Sequence, residues 1–141
     1  EKSLGCIHKC GTRPFDGFYE YGKMIDKKGL HFLNATAFDV PNVVALVAAG
    51  AQIVAFTTGM GNPVGNPVSP VVKITGNRET AVRLSDIIDF DTSGSISGEK
   101  SIEQLGGELM DYIVSVCGGE SVRAEDNGAA EMSINQNYSY V

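Results

Sequence analysis

Short apolar runs that alternate with helix-like segments constrain the fold of this chain more than any other feature. The runs LHFLNA (30–35), QIVAFTT (52–58) and VVKITG (71–76) have the length and the residues of strands, and IIDFD (87–91) is a candidate edge strand. This alternation over short connections predicts an α/β fold, a three-layer, Rossmann-like domain with a mainly parallel sheet of about four strands and flanking helices. Because QIVAF is continuously apolar, we expect its strand to be covered on both faces.

The segment FDVPNVVALVAAG (38–50) carries the signals of a helix. Asp39 lies near the expected cap, Pro41 falls in the first turn, and Gly50 follows the last turn. Its apolar residues lie almost all round the helix axis, which predicts a buried helix.

Two further helices are predicted in the second half of the chain. Asn77 is a plausible N-cap for a short helix. In 99–119 the apolar residues recur at helical spacing, and the Gly106–Gly107 pair inside this segment favours close approach to a neighbouring element. The glycine- and serine-rich segment TSGSISGE (92–99) is predicted to be a loop.

The first 28 residues mix glycine, proline, aromatic and charged residues without a sustained period. We interpret 1–28 as an irregular N-terminal arm whose aromatic residues pack on the body or on an upstream domain, and 29–141 as the α/β domain. Because the chain begins with Glu1 and not with methionine, we expect it to be either processed or a part of a longer protein.

Composition and charge exclude several classes of function. The net charge of −6 argues against nucleic-acid binding, which requires a basic face. The apolar runs are shorter than the ~20 residues of a membrane span, and the start has no signal-peptide pattern. Three cysteines make no disulfide framework, which favours a reducing, cytoplasmic location. Composition and charge are compatible with a homo-oligomer as well as with a monomer.

The motif CIHKC places Cys6, His8 and Cys10 at alternate positions and raises the question of a metal site. Structural zinc needs four ligands, commonly in two groups, and no second Cys/His group follows, because Cys117 and His31 are isolated. We therefore favour the alternative that the cysteines are small apolar side chains in a packed segment.

The segment TTGMGNPVGNPV (57–68) leaves the carboxyl end of a predicted strand, where ligands of parallel sheets bind. The spacing of its glycines matches neither of the two nucleotide-binding loop motifs, GxGxxG and GxxxxGK(S/T). Two interpretations stay open: a binding site for a polyhydroxylated anion, or a run of turn-forming residues. The candidate ligands are hydroxyls, backbone amides and side-chain amides, with a lysine on the next strand: Thr57, Thr58, Gly59, Gly61, Asn62, Asn66 and Lys73.

Three blocks of the sequence, EKSLGCIHKCG (1–11), FTTGMGNPVGNPVSPVVKITGN (56–77) and IDFDTSG (88–94), resemble the C-terminal region of the altronate/galactarate dehydratase family. The resemblance implies a hydro-lyase that converts an aldonate or aldarate to a 2-keto-3-deoxy acid with a divalent metal, iron or manganese. It also implies that this chain is the C-terminal part of a longer polypeptide with upstream domains, and that the fragment alone is inactive. Related sulfolactate sulfo-lyases eliminate sulfite instead, and a non-catalytic α/β binding or assembly module is the alternative from another class.

The resemblance also suggests roles for individual residues. His8 and Lys9, in the first block, are candidate acid or base groups, and Lys73 is a candidate electrostatic partner of the substrate. The loop residues 57–66 are expected to contact the carboxylate or the hydroxyls. Metal ligands are not evident: Asp86, Asp89 and Asp91 are interpreted as a solvated strand edge or helix end, and we expect the ligands mainly upstream.

Overall fold

The computed structural model describes residues 2–134, apart from the side chains of residues 2, 3, 6 and 7. The strands are β1 Gly17–Tyr19, β2 His31–Leu33, β3 Val54–Thr57, β4 Val71–Thr75 and β5 Phe90–Asp91. The helices are α1 Lys2–Lys9, α2 Asp39–Ala48, α3 Arg78–Arg83, α4 Gly94–Ser97, α5 Ile102–Cys117 and α6 Arg123–Asp126.

The main sheet has the order β3-β4-β5, and both of its strand pairs are parallel. Its register aligns Val54 with Val71 and Ile74 with Phe90. The central strand β4 is buried along its whole length, as a strand covered on both faces should be. The edge strand β3 exposes Ala55 and Thr57, so the expectation that it is covered on both faces is wrong. The reason is that β3 lies at the edge of the sheet, where less of the chain packs over its faces than over the central strand β4.

Apolar clusters cover both faces of the main sheet and confirm the three-layer arrangement. On one face Val43 of α2 packs with Val54, Val64 and Val71. On the other face a second cluster joins β4 to α5 and the segment that contains α6: Val72, Ile74, Val116, Val122 and Ala124. Full burial of a valine side chain contributes about 1.5–3 kcal/mol, so these two clusters are the main stabilising contacts of the domain.

A second, two-stranded sheet lies outside the main sheet, since β1 pairs with β2 in parallel. The predicted strand 30–35 therefore exists as β2 but does not join the main sheet. The expectation that residues 1–28 are irregular is wrong for α1 and β1. The aromatic ring of Phe18 stacks on that of Phe32, with centroids 5.7 Å apart. The pairing thus links the predicted arm to the predicted domain, whose boundary at 28/29 stays a prediction.

Two helix signals read from the sequence are confirmed, Gly50 as the stop of α2 and Asn77 as the cap of α3. The expected cap near Asp39 is wrong, because Phe38 is the N-cap residue of α2 and no side chain caps it. Gly50 follows α2 with a φ of +107°, a conformation that glycine adopts without strain. The Asn77 side chain caps α3 by accepting hydrogen bonds from the amides of Glu79 and Thr80. Ser101 and Gln104 form a capping box at the start of α5.

Three expectations about the second half of the chain and its cysteines are wrong. The segment 92–99 contains the short helix α4 and is not loop throughout. A Cβ atom added at Gly106 or Gly107 would meet nothing within 4 Å, so these glycines do not mark a close approach. Cys10 and Cys117 are exposed, so they are not packed apolar thiols.

Within residues 2–134, no helix reaches the length and hydropathy that a membrane crossing demands.

Candidate functional site

The carboxyl ends of all three strands of the main sheet meet at one open cavity of about 390 Å³, here called the carboxyl-edge pocket. This volume lies in the range of about 300–1,000 Å³ that is typical of small-molecule sites. Residues at or after the ends of β3, β4 and β5 form the lining together with the last residue of α1: Lys9, Thr57, Thr58, Gly59, Ile74, Gly76, Asn77 and Thr92. Parallel sheets bind ligands at this edge because strands and loops converge there.

The structure brings four of the predicted site residues together in this pocket. Thr57 ends β3, and Thr58 and Gly59 follow it directly. Lys9 comes from a distant part of the sequence, at the end of α1, and is the cationic residue of this lining. A neighbouring cation beside several hydroxyl groups is an arrangement that suits a hydroxylated carboxylate.

Sequence reasoning missed four lining residues, of which Asn77 and Thr92 have polar side chains. The sequence predicts Asn77 only as a helix cap and Thr92 only as part of a loop. A positional signal could have found both, because Asn77 lies two residues after β4 and Thr92 directly follows β5. Side chains that follow neighbouring parallel strands reach the same edge of a sheet.

Two threonine hydroxyls give the pocket complementary hydrogen-bonding capacity. Thr58 Oγ1 accepts a hydrogen bond of 3.0 Å from the amide of Gly61, so its hydroxyl hydrogen can be donated to a ligand. Thr92 Oγ1 donates to the carbonyl of Thr75 at 3.0 Å and keeps lone pairs that can accept from a ligand. A ligand hydroxyl both donates and accepts, and the two threonines match these two requirements.

Gly61, Asn62 and Asn66 lie outside this lining and have structural contacts of their own. Gly61 adopts a φ of +88° and packs against Leu84, whose Cδ1 would be 2.3 Å from a Cβ atom at this position. Asn62 Oδ1 accepts from the amide of Val64 at 2.8 Å, and its amide nitrogen donates to a carboxylate oxygen of Asp39. These contacts are typical of turn-forming residues.

Asn66 is buried, at 6% exposure, and its Oδ1 accepts from the amides of Val68 and Ser69. The loop 57–68 therefore combines both interpretations of the sequence. Its first residues line the pocket, whereas its asparagines form turns. A substrate-binding role for Gly61, Asn62 and Asn66 stays a prediction, and the structure gives it no contact with the pocket.

Lys73 lies in the interior and not in the carboxyl-edge pocket. Its side chain is fully buried, and Nζ donates to the carbonyls of Val64 and Val71. Burial lowers the pKa of Lys73, while the negative charges of Asp89 and Glu131 oppose this shift. A catalytic role for Lys73 stays a prediction, but its hydrogen bond to the carbonyl of Val64 ties the 57–68 loop to β4.

His8, the third predicted catalytic residue, is exposed on α1 and is not part of the pocket lining. Asp89, which the sequence places in a solvated acidic edge, instead connects two elements. Its carboxylate accepts from the amide of Lys73 at 2.6 Å and from the amide of Arg123 at 2.8 Å. These bonds join β4 to the start of α6, so Asp89 has a structural role here.

The donors of the described residues do not fit a divalent metal centre. The lining of the carboxyl-edge pocket contains no carboxylate, imidazole or thiolate group. In the part of the chain that the structure describes, no group of three or more His, Cys, Asp or Glu residues is placed to hold a metal ion. Iron and manganese sites in proteins are built from such donors.

Comparison with known proteins identifies the relatives of the chain. The family model for D-galactarate/altronate dehydratase, C-terminal, matches residues 1–140. The altronate dehydratase of Bacillus subtilis (strain 168) is 37% identical over 134 residues, which are 95% of this chain and 27% of that protein. The altronate dehydratase of Escherichia coli (strain K12) is 38% identical over 134 residues, with the same two coverages of 95% and 27%.

The (2R)-sulfolactate sulfo-lyase subunit beta of Chromohalobacter salexigens is also similar. It is 32% identical over 139 residues, which are 98% of this chain and 36% of that protein. The chain thus spans about a quarter to a third of the length of these curated relatives.

Proposed function

The chain belongs to the D-galactarate/altronate dehydratase C-terminal family, and on that premise we propose that it forms one wall of the active site of a sugar-acid dehydratase. The substrate is an aldonate or aldarate, such as altronate or galactarate, and the product is a 2-keto-3-deoxy acid. The observation that supports this proposal is the carboxyl-edge pocket, whose lining combines a lysine, three threonines and an asparagine around one cavity.

The pocket residues suit the charges of this reaction. In the dehydration, a base removes the proton from the carbon next to the carboxylate, and negative charge builds up on the carboxylate oxygens. The neighbouring hydroxyl then leaves as water after it accepts a proton from an acid, and the resulting enol becomes the 2-keto acid. We assign the Lys9 ammonium to the carboxylate, where it stabilises the developing charge. Thr57, Thr58 and Thr92 hold the substrate hydroxyls.

The family resemblance makes His8 the candidate for proton transfer. It precedes Lys9 on α1 and is exposed outside the pocket lining. Lys73 serves the structure of the loop, because its ammonium is bonded to two backbone carbonyls.

The rest of the active site comes from other parts of the polypeptide. Since the donors here do not fit a metal, a divalent iron or manganese ion would be held by residues outside those described. Upstream domains of the same polypeptide are the partners that complete the pocket, in line with the greater length of the relatives.

Kinetic assays of the complete polypeptide that carries this domain test the proposal with a panel of aldonates, aldarates and sulfolactate. We expect wild-type protein to release water from a sugar acid. Lys9→Met should raise KM by about tenfold or more, because it removes a charged hydrogen-bond donor, and Lys9→Arg should restore part of the loss. Lys23→Met, at an exposed lysine outside the pocket lining, is the matched control.

The same panel separates the alternatives. Release of sulfite from sulfolactate, without dehydration of any sugar acid, would assign the chain to the sulfo-lyase reaction. This second candidate is supported by the 32% identity to the sulfo-lyase subunit over nearly the whole chain. If no acid is converted or bound, and substitutions in the 57–68 loop change the oligomer size, the chain is a non-catalytic assembly module.

A further inference from the structure

We propose that Asn77 and Thr80 are positioning residues that hold one carbonyl group, Gly59 O, and thereby fix the threonine end of the 57–68 loop in the carboxyl-edge pocket. This inference rests on the proposed function, because the loop residues that it positions are those assigned to the substrate. Both residues belong to the region of α3, a helix that the sequence predicted only from Asn77 as its N-cap.

Two side chains donate to this carbonyl from the same helix region. Asn77 Nδ2 lies 3.2 Å from Gly59 O, and Thr80 Oγ1 lies 2.8 Å from it. A carbonyl oxygen has two lone pairs, so these donors satisfy both of them. Thr80 is 2% exposed, which keeps water away from its hydroxyl and strengthens the hydrogen bond.

The residues on either side of Gly59 are fixed to one another and to α3. Thr58 Oγ1 accepts from the amide of Gly61 at 3.0 Å, which closes the turn 58–61. Gly61 packs against Leu84, and Thr80 Cγ2 would be 3.7 Å from a Cβ atom at that glycine. The turn is therefore seated on α3 through its carbonyl and through its glycine. Release of Gly59 O would let Thr58 move relative to Thr92 across the pocket.

The two functions of the Asn77 side chain use different atoms and can be separated. Its Oδ1 caps α3 by accepting from Glu79 N at 3.0 Å and Thr80 N at 3.4 Å, whereas Nδ2 donates to Gly59 O. Serine is an equally good N-cap but is too short to replace the amide donor, so Asn77→Ser removes the clamp and keeps the cap. Thr80→Val removes the second donor and keeps the shape, and Thr80→Ser keeps the hydroxyl.

The kinetic test compares the two single variants with the double variant in the complete dehydratase. In each single variant the other donor still holds Gly59 O, so we expect KM for the sugar acid to rise about threefold. In the double variant the carbonyl has lost both donors, and KM should rise about thirtyfold, more than the product of the single effects. Thr80→Ser should retain wild-type KM, as should Val82→Thr, a control on the exposed side of α3.

Amide hydrogen exchange in the complete polypeptide that carries this chain tests the clamp without any measurement of activity. In the double variant, the protection of the Gly61 amide, which donates to Thr58 Oγ1, should fall at least tenfold, while the amides of α5 stay protected. Unchanged Gly61 protection would overturn the inference even if the protein is a dehydratase. Single effects on KM that simply multiply would also overturn it. A wild-type protein that converts no sugar acid, with Gly61 exchange altered as expected, would refute the proposed function but leave the clamp in place.

Discussion

Replacing Lys73 by methionine keeps a side chain of similar length in the interior but removes its ammonium group. In the wild type this group is fully buried and donates to Val64 O and Val71 O, with the Phe56 ring centroid 6.0 Å away. Two opposite terms follow from the substitution. The carbonyl of Val64 loses its buried donor, which costs about 1–3 kcal/mol. A charge that burial destabilises is removed at the same time.

The dependence of stability on pH isolates the effect of the buried charge from the effect of the lost hydrogen-bond donor. Burial lowers the pKa of Lys73 from its ordinary value of 10.5. Below the lowered pKa the lysine is charged in the folded and in the unfolded chain, and folding carries the whole cost of burying the charge. Between the lowered pKa and 10.5 the unfolded chain binds a proton that the folded chain does not. The stability of the wild type therefore rises with pH in this window, by at most about 1.4 kcal/mol per pH unit.

Urea unfolding of wild-type and Lys73→Met protein between pH 7 and pH 10 measures this difference. We expect the free energy of unfolding of the wild type to gain on that of the variant as the pH rises. Lys100→Met is the matched control, because Lys100 is exposed and pairs with Glu108 at the surface; its curve should stay parallel to that of the wild type. Parallel curves for wild type and Lys73→Met would show that burial does not perturb Lys73, and would refute this account of the loop anchor.

Two further predictions concern the packing of glycines and the titration of Tyr112. Gly65→Ala should lower the free energy of unfolding in urea by about 1–3 kcal/mol, because its Cβ atom would lie 2.1 Å from the carbonyl oxygen of Ala129. Gly107→Ala should instead stabilise α5 by about 1 kcal/mol, because a Cβ atom there meets nothing within 4 Å. Equal effects of the two substitutions would contradict this packing. Burial and the carboxylate of Asp89 raise the pKa of Tyr112 to about 12. Above pH 10 the folded chain therefore keeps a proton that the unfolded chain loses, and the free energy of unfolding should fall from pH 10 to pH 12. Tyr112→Phe should abolish this fall, and an unchanged pH profile in the variant would contradict the assignment.

Local signals in the sequence predicted the elements, whereas contacts between distant residues decided their arrangement. Asn77 as a cap and Gly50 as a stop depend on backbone geometry within a few residues, and both are confirmed. The pairing of β2 with β1 depends on a partner from the first 28 residues, which had no periodic pattern. The burial of Lys73 was equally non-local. Its alternation with Val71 placed it on one face of β4, but nothing in the sequence said that the loop would fold over that face.

The candidate site follows the same division. Thr57, Thr58 and Gly59 could be predicted because they follow an apolar strand at the ligand-binding edge of a parallel sheet. Lys9 was assigned from a family resemblance, and its place in the same lining is a tertiary contact between α1 and the ends of the strands. Asn77 and Thr92 were missed because one was explained by its cap and the other by its glycine-rich neighbours.

The 57–68 loop is thus a segment with two functions that are divided along the sequence. Its first residues face the carboxyl-edge pocket, and their turn is held by α3 through Gly59 O. Its later residues are bonded to the interior through Asn66 and the carbonyl of Val64. Because the two anchors share no side chain, a substitution at one should leave the other intact. Loss of the Gly59 clamp should then alter substrate affinity at nearly constant stability, and loss of the Lys73 anchor should alter stability first.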